Sequence, residues 1–253
     1  MEQGLKDSLT SMLDKLFAQG VEFWWRDDDA AEASPALDRL LEISGSRSFP
    51  CALSVIPAAT GPALAKRLEG HPQITIIQHG YAHTDHAPKG AGSWELGLHR
   101  PAEGVVSELV RGRRLLGEIF GSRFVPVLVP PWNNIAPELL PMLPEAGFIG
   151  LSADADNPPP TTLDFIQVHA HSDLLRWKKG PARFAGERKA INPLVEELQR
   201  QAASAQPRPV GILTHHLEMD EAAWSFLESL LDVLNSHPAA RPVSAAHIWQ
   251  EKR

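Results

Sequence analysis

The chain has 253 residues, 43 % of them apolar and 22 % charged, with 24 Lys and Arg against 31 Asp and Glu and a net charge of −7. That length suits one sizeable core, and the expectation is a single domain over residues 1–253. The acidic balance, without any long basic block, argues against a nucleic-acid partner, and no apolar run approaches the roughly 20 residues that a membrane span needs.

Residues 1–20 space Leu5, Leu9, Met12, Leu13, Leu16 and Phe17 at helical intervals among charges, which predicts an amphipathic helix rather than a signal peptide. A strand VEFWW (21–25) follows, then a helix opened by Ser34 and Pro35, a strand CALSVI (51–56), a helix near Pro62, a strand ITIIQ (74–78) and a long connection. Lone Cys51 reads as a small core residue; with no disulfide partner it agrees with a cytoplasmic location. Pro101 opens an amphipathic helix carrying Val105, Val106, Leu109, Leu116 and Ile119. After it come FVPVLV (124–129), a helix from Pro137, FIGLS (148–152) and DFIQV (164–168). A Leu- and Glu-rich helix around 194–200 precedes VGILT (210–214), and a last helix covers about 221–234. Seven or so strands alternating with helices predict a predominantly parallel sheet, closed into a barrel rather than doubly wound. No glycine-rich phosphate loop follows any strand, so a dinucleotide fold lacks its fingerprint.

Unusual polar residues fall at the carboxyl ends of these strands. Asp28 and Asp29 end the first, His79 the third, and Pro130, Pro131 and Trp132 the fourth; His169 and His171 follow DFIQV, and His215 and His216 follow VGILT. In a β/α barrel those ends share one face, so residues distant in sequence meet in one pocket. His79 and His83 flank Gly80 after a β-branched run, which disfavours a helix; with the carboxylates they offer hard N and O donors suited to a divalent metal such as zinc. The duller alternatives are that the Asp triplet caps the next helix and that the His215–His216 pair is a strand end with one core imidazole.

In chain order, DDA (28–30), HGYAH (79–83), PPWN (130–133) and LTH (213–215) resemble the motifs of the NodB-like polysaccharide deacetylases, carbohydrate esterase family 4, in a divergent branch of it. The resemblance runs from about Val21 to the last helix and implies a distorted (β/α)7-type barrel. It implies Asp29, His79 and His83 as ligands of a divalent ion, zinc foremost, with Asp28 as general base. Trp132 would supply a backbone N–H for the oxyanion and His215 would be the general acid. Pro131, Asn133, His171 and His216 are expected to contact substrate. Reading the triplet one place earlier gives the first two roles to Asp27 and Asp28; Ala30, in the place of the family's small residue, favours the later frame. The implied activity is metal-dependent hydrolysis of an N-acetyl, less readily an O-acetyl, group on a sugar or sugar conjugate.

The chain departs from the pattern at Val129, where the family carries an Arg that pairs with the base. Arg26 is two residues before Asp28, and side chains two apart on a strand share a face, so Arg26 is expected to lie beside Asp28 and hold it ionised. The family's later Asp is matched by Asp154, by Asp156, or by a pair made of His171 and Asp173. His86 reads as a loop residue. Adjacent Trp24 and Trp25 must face opposite sides, so at least one is core, and Trp177 is available to stack on sugar. Two rival readings stand beside the deacetylase. One takes His169, His171, His215 and His216 as ligands of a two-metal amidohydrolase or phosphoesterase. The other is a sugar-binding protein that has lost turnover, motivated by Val129.

Overall fold

The computed structural model describes residues 1–160, 166–177, 180–204 and 207–251. In chain order its helices and strands are α1 (Gln3–Lys15), β1 (Val21–Ala30), α2 (Pro35–Ser46), β2 (Cys51–Val55), α3 (Pro62–Arg67), β3 (Ile74–His79), α4 (Ala102–Phe120), β4 (Phe124–Val129), β5 (Gly150–Leu151), β6 (Ile166–Gln167), β7 (Ala170–Asp173), β8 (Leu175–Arg176), β9 (Arg183–Phe184), α5 (Glu187–Ala202), β10 (Val210–Thr214), α6 (Glu221–Ser236) and β11 (Ala240–Pro242). Local signals account for several ends. Ser34 accepts the Leu37 N–H at 3.0 Å with Pro35 in the first turn of α2, and Asp220 caps α6 through the Ala223 N–H at 2.8 Å. The helix expected from Pro137 is only a 3₁₀ segment, Pro137–Met142, which contains Pro141. Of the expected strand 164–168, positions 164 and 165 lie outside the described residues.

The sheet runs β6, β5, β4, β3, β2, β1, β10, β7, every neighbouring pair parallel, with β11 beside β1. Its two ends belong to one stretch of chain. β6 pairs with β5, the ladder continues through Ala170 N–H to Ala153 O (3.0 Å) and an Asp154–Ala170 bridge, and β7 then pairs with β10. The sheet thereby closes as the distorted (β/α)7 barrel that the motif order implied.

Alternation along β1 sorts the barrel from its helical coat. Trp24 packs with Ala52, Ile77, Val127, Val129 and Trp249, meeting Trp249 edge to face at 5.3 Å. Phe23 and Trp25 join the larger core with Leu37, Leu41, Leu194 and Leu230 of the surrounding helices. Both Trp24 and Trp25 are buried, so neither reaches a sugar. α1 packs on α5 through Leu5, Leu9, Met12 and Leu13, whereas Phe17 is exposed.

Two interruptions of this alternation position the site. The β1–β2 register shifts between Asp27 and Ala30, where Asp29 takes φ 67°. The β10–β7 register passes from Gly211↔Ala170 to Ile212↔Ser172, leaving His171 as an extra residue. A bulge of this kind re-aims the side chains beyond it. Ser172 then faces α5, bonding Ala190 O at 2.7 Å, and Asp173 lines the mouth of the barrel.

Candidate active site

A pocket of about 380 Å³ opens at the carboxyl ends of β1, β3, β4, β7 and β10. On one wall Asp29 Oδ1 lies 3.0 Å from His79 Nε2 and 3.3 Å from His83 Nε2. Donor atoms of these three residues lie within 4.8 Å of one another, and no other such group occurs among the described residues. His79 directs Nδ1 at Val129 O, 3.2 Å away; a carbonyl only accepts, so Nδ1 carries a proton, and Nε2 is the nitrogen facing Asp29, donating to it when the ring is charged and offering a lone pair to an ion when the ring is neutral. Burial opposes charge on Asp29, but the hydrogen bond and charge of His79, with His215 and His83, hold its pKa far below the usual carboxylate range. Burial likewise opposes charge on His79, yet Asp29 and Asp28 raise it. The site thus favours positive charge at the point where the three donors meet, and the residues fit a divalent cation.

The loop carrying His83 is braced from below. Buried Glu95 accepts the Tyr81 and Ala82 N–H groups at 3.1 and 2.6 Å. Gly80 has φ +49°, and a Cβ there would collide with Glu95 Oε2 and the Pro131 ring. Pro131 is therefore packing under the loop rather than pocket wall, contrary to the expected substrate contact. His86 is exposed on the next turn.

Arg26 and Asp28 form the floor. Arg26 Nε and Nη2 meet Asp28 Oδ1 and Oδ2 at 3.0 and 3.1 Å, and Arg26 is wholly buried. Its remaining donors reach Ser152 Oγ (2.7 Å), Ala153 O (3.3 Å) and Asn133 Oδ1 (3.0 Å). A guanidinium from β1 itself thus lies beside Asp28. Asn133 lines the pocket beside Trp132, whose ring lies 4.4 Å from that of His83.

Across the pocket, His215 Nδ1 is buried without a hydrogen bond, and Asp173 Oδ1 stands 4.0 Å from it. Asp173 also accepts the Leu175 N–H at 2.8 Å and the Trp177 Nε1–H at 2.9 Å, and Trp177 meets the His215 ring at 4.6 Å. Burial raises the Asp173 pKa against the pull of His215. Among the Asp positions left open by the motif, Asp173 faces His215, Asp154 lines the pocket and Asp156 does not.

Asp27, the other frame of the triplet, points to the opposite side of β1. It accepts from Thr214 Oγ1 (2.6 Å) and His216 N–H (3.0 Å) and pairs with His216 Nδ1 at 2.5 Å. His216 is buried in that pair, outside the pocket in which a substrate contact was expected of it; although burial opposes it, the Asp27 carboxylate raises its pKa. His171 is likewise elsewhere. Its Nδ1 accepts the Gly211 N–H (2.9 Å) in the register shift, and His169 Nδ1 accepts the Ala153 N–H (3.0 Å). An imidazole that accepts at Nδ1 carries its neutral-form proton on Nε2, so neither has a lone pair to give a metal. Burial lowers both, with His169 pushed down to about 4 by burial and by Arg26, His171 and Arg208.

Strained backbone collects at the pocket. Of five non-glycine residues with positive φ among those described, Asp29, His83, Trp132 and Asn133 are pocket residues. Such conformations cost about 1–3 kcal/mol each and persist where the surroundings over-determine them.

The chain is a parallel β/α barrel with carboxylates and imidazoles gathered at its mouth, the end of such folds at which sites form. Its fold is specifically that of the NodB-like polysaccharide deacetylases, carbohydrate esterase family 4. A polysaccharide-deacetylase assignment from Mycobacterium smegmatis superimposes with a TM-score of 0.63 at 15 % identity, covering 92 % of this chain and 90 % of that one. A family 4 carbohydrate esterase from Streptomyces lividans, in complex with acetate, gives 0.54 at 14 % identity over 87 % and 90 %. A family 4 acetyl xylan esterase from Clostridium thermocellum, in complex with a cobalt ion, gives 0.54 at 12 % identity over 91 % of both. No protein-family model and no curated protein sequence matches the chain.

Proposed function

We propose that this chain is a metal-dependent deacetylase that hydrolyses an N-acetyl group, less readily an O-acetyl group, on a sugar or sugar conjugate. The observation that carries this reading is the meeting of Asp29, His79 and His83 in one pocket with Asp28 and His215. Asp29, His79 and His83 would hold the ion, and zinc suits their N and O donors. Such an ion lowers the pKa of a water and polarises an acyl carbonyl.

The remaining roles belong to the chain. Asp28, fixed in a two-point pair with Arg26, takes a proton from the attacking water. The Trp132 backbone N–H, set in its left-handed turn, donates to the developing oxyanion. His215 protonates the departing nitrogen, a leaving group too basic to go as an anion, and Asp173 steadies the imidazolium. The exposed rings of Trp132 and Trp177 offer apolar faces to a sugar.

Neither rival finds support in the geometry. The two-metal reading needs His169 and His171 as ligands, and both spend Nδ1 on a main-chain N–H. The motive for lost turnover was the missing Arg, and the pairing of Arg26 with Asp28 supports the reading that Arg26 takes over its part.

Zinc-loaded protein is assayed for acetate release from N-acetylated and O-acetylated sugars, with metal content measured in parallel. We expect one ion per chain, lost in His79→Ala and kept in His171→Ala. Asp28→Asn keeps the ion and loses at least about a hundredfold in turnover. Sugar binding without acetate from a broad panel would overturn the enzymatic reading. Two ions, both sensitive to His171, would instead establish the two-metal rival.

A further inference from the structure

The β1–β10 ladder ends at the pair Asp27↔Thr214, one residue short of Asp28 and of His215. Beyond that point no main-chain register joins the strand that carries the acidic residues to the strand that carries the opposing imidazole. A side chain takes over the task. Asp27 accepts the His216 main-chain N–H at 3.0 Å, as a continued ladder would require, and also holds Thr214 Oγ1 and His216 Nδ1. Trp25 Nε1 donates to the same Thr214 hydroxyl at 2.7 Å, tying the assembly into the core beneath. Asp27, Thr214 and His216 are all buried.

His215 lies between the two residues bound to Asp27. Pinning Thr214 and His216 to the outer side of the barrel leaves His215 directed inward. On β1, Asp27 immediately precedes the interruption in which Asp28 keeps the inward face and Asp29 swings into the left-handed region. A strained aspartate persists only where its flanks are fixed.

We propose that Asp27 and His216 form a buried clamp that positions Asp29 for the metal and His215 for substrate, acting through the ends of β1 and β10 without touching either ligand. This rests on the reading of Asp29, His79 and His83 as a metal centre. The clamp explains why this chain has three consecutive aspartates and two consecutive histidines where the chemistry uses two and one. The outward member of each run joins the strands, and the inward members face the reaction.

Cobalt(II) binding tests the proposal, because affinity and visible spectrum report ligand placement independently of turnover. Wild type, Asp27→Asn, His216→Phe and the double variant are titrated with cobalt, and kcat and KM are measured with the best acetylated sugar. Each single variant is expected to lose about tenfold or more in cobalt affinity, to change the cobalt spectrum and to lower kcat more than it raises KM. Because the two residues act as one unit, the double variant falls no further than the worse single one. If His216→Phe does not fold, Thr214→Val, which removes only a hydroxyl from the same network, carries the comparison. Wild-type cobalt binding with unchanged affinity and spectrum in every variant overturns the clamp alone. A wild type that binds no cobalt overturns the metal reading and the clamp with it.

Discussion

Arg26 and Asp28, two residues apart on β1, close a fully buried ion pair through two contacts of 3.0 and 3.1 Å. Sharing one face of one strand, the two groups are oriented by the strand itself, and Ser152 and Asn133 then fix the guanidinium plane. Arg26→Met strands the Asp28 carboxylate without a partner in the barrel. We expect a loss of about 3–5 kcal/mol in unfolding free energy, the range for breaking a buried pair from one side, with acetate release falling at least about tenfold. Arg26→Lys recovers part of the stability but not the turnover, because an ammonium cannot make the two-point contact. Denaturant unfolding and acetate assays check both; Arg26→Met within about 0.5 kcal/mol of wild type, at full turnover, would contradict the account.

That pair was legible because it obeys the two-residue period of a strand. So were the barrel, from the alternation of β-rich and helical runs, and the gathering of Asp28, Asp29, His79, His83 and His215 at one face. What resisted reading lies where the period breaks. Spacing alone cannot decide which two aspartates of the triplet enter the pocket, because the register shift at Asp29 turns consecutive residues to the same side. The shift at His171 sends that imidazole to a main-chain N–H while Asp173 lines the pocket, separating two residues that alternation would place on one face. Glu95 sits in a long connection without periodicity, so nothing in its neighbours marks it as the brace under His83. β5 and β6 fall inside the runs FIGLS and DFIQV expected as strands, but each is only two residues long, and the Asp154–Ala170 bridge that completes the ring leaves no pattern in the sequence.

Because His169 and His171 both accept main-chain N–H groups at Nδ1, they make stability depend on pH. Protonation would place a second donor against each N–H. His169 is lowered from 6.5 to about 4 by burial and neighbouring positive charge, and His171 is lowered by burial. The unfolded chain therefore takes up these protons near pH 6.5 while the folded chain resists, so their contribution is fully present above that pH. It is lost as pH falls from 6.5 toward about 4. For His169 the loss amounts to about 3 kcal/mol at most. His169→Asn, whose amide oxygen can accept the same N–H without titrating, is expected to flatten the acid limb of stability relative to wild type. Urea midpoints between pH 7 and pH 4 test this, and parallel curves for the two proteins would refute it.

Gly80 connects His79 and His83, the proposed metal ligands, to their support. Its φ of +49° disfavours any side chain, and a Cβ would strike both the Glu95 carboxylate and the Pro131 ring. Glu95 cannot yield without releasing Tyr81 and Ala82, and Pro131 is a rigid ring at the start of the turn that carries Trp132. Gly80→Ala should therefore displace His83, cutting metal affinity about tenfold or more and destabilising the fold by at least about 1–3 kcal/mol. Gly90, in the same long connection, gives the control: its φ is +90° but a methyl there would meet nothing within 4 Å, so Gly90→Ala bears only the conformational cost of about 1 kcal/mol. Its metal affinity should match wild type. Zinc competition titrations on the two variants separate the cases, and equal affinities for Gly80→Ala and Gly90→Ala would show that the loop is not held against Glu95 and Pro131 in the way the ligand geometry requires.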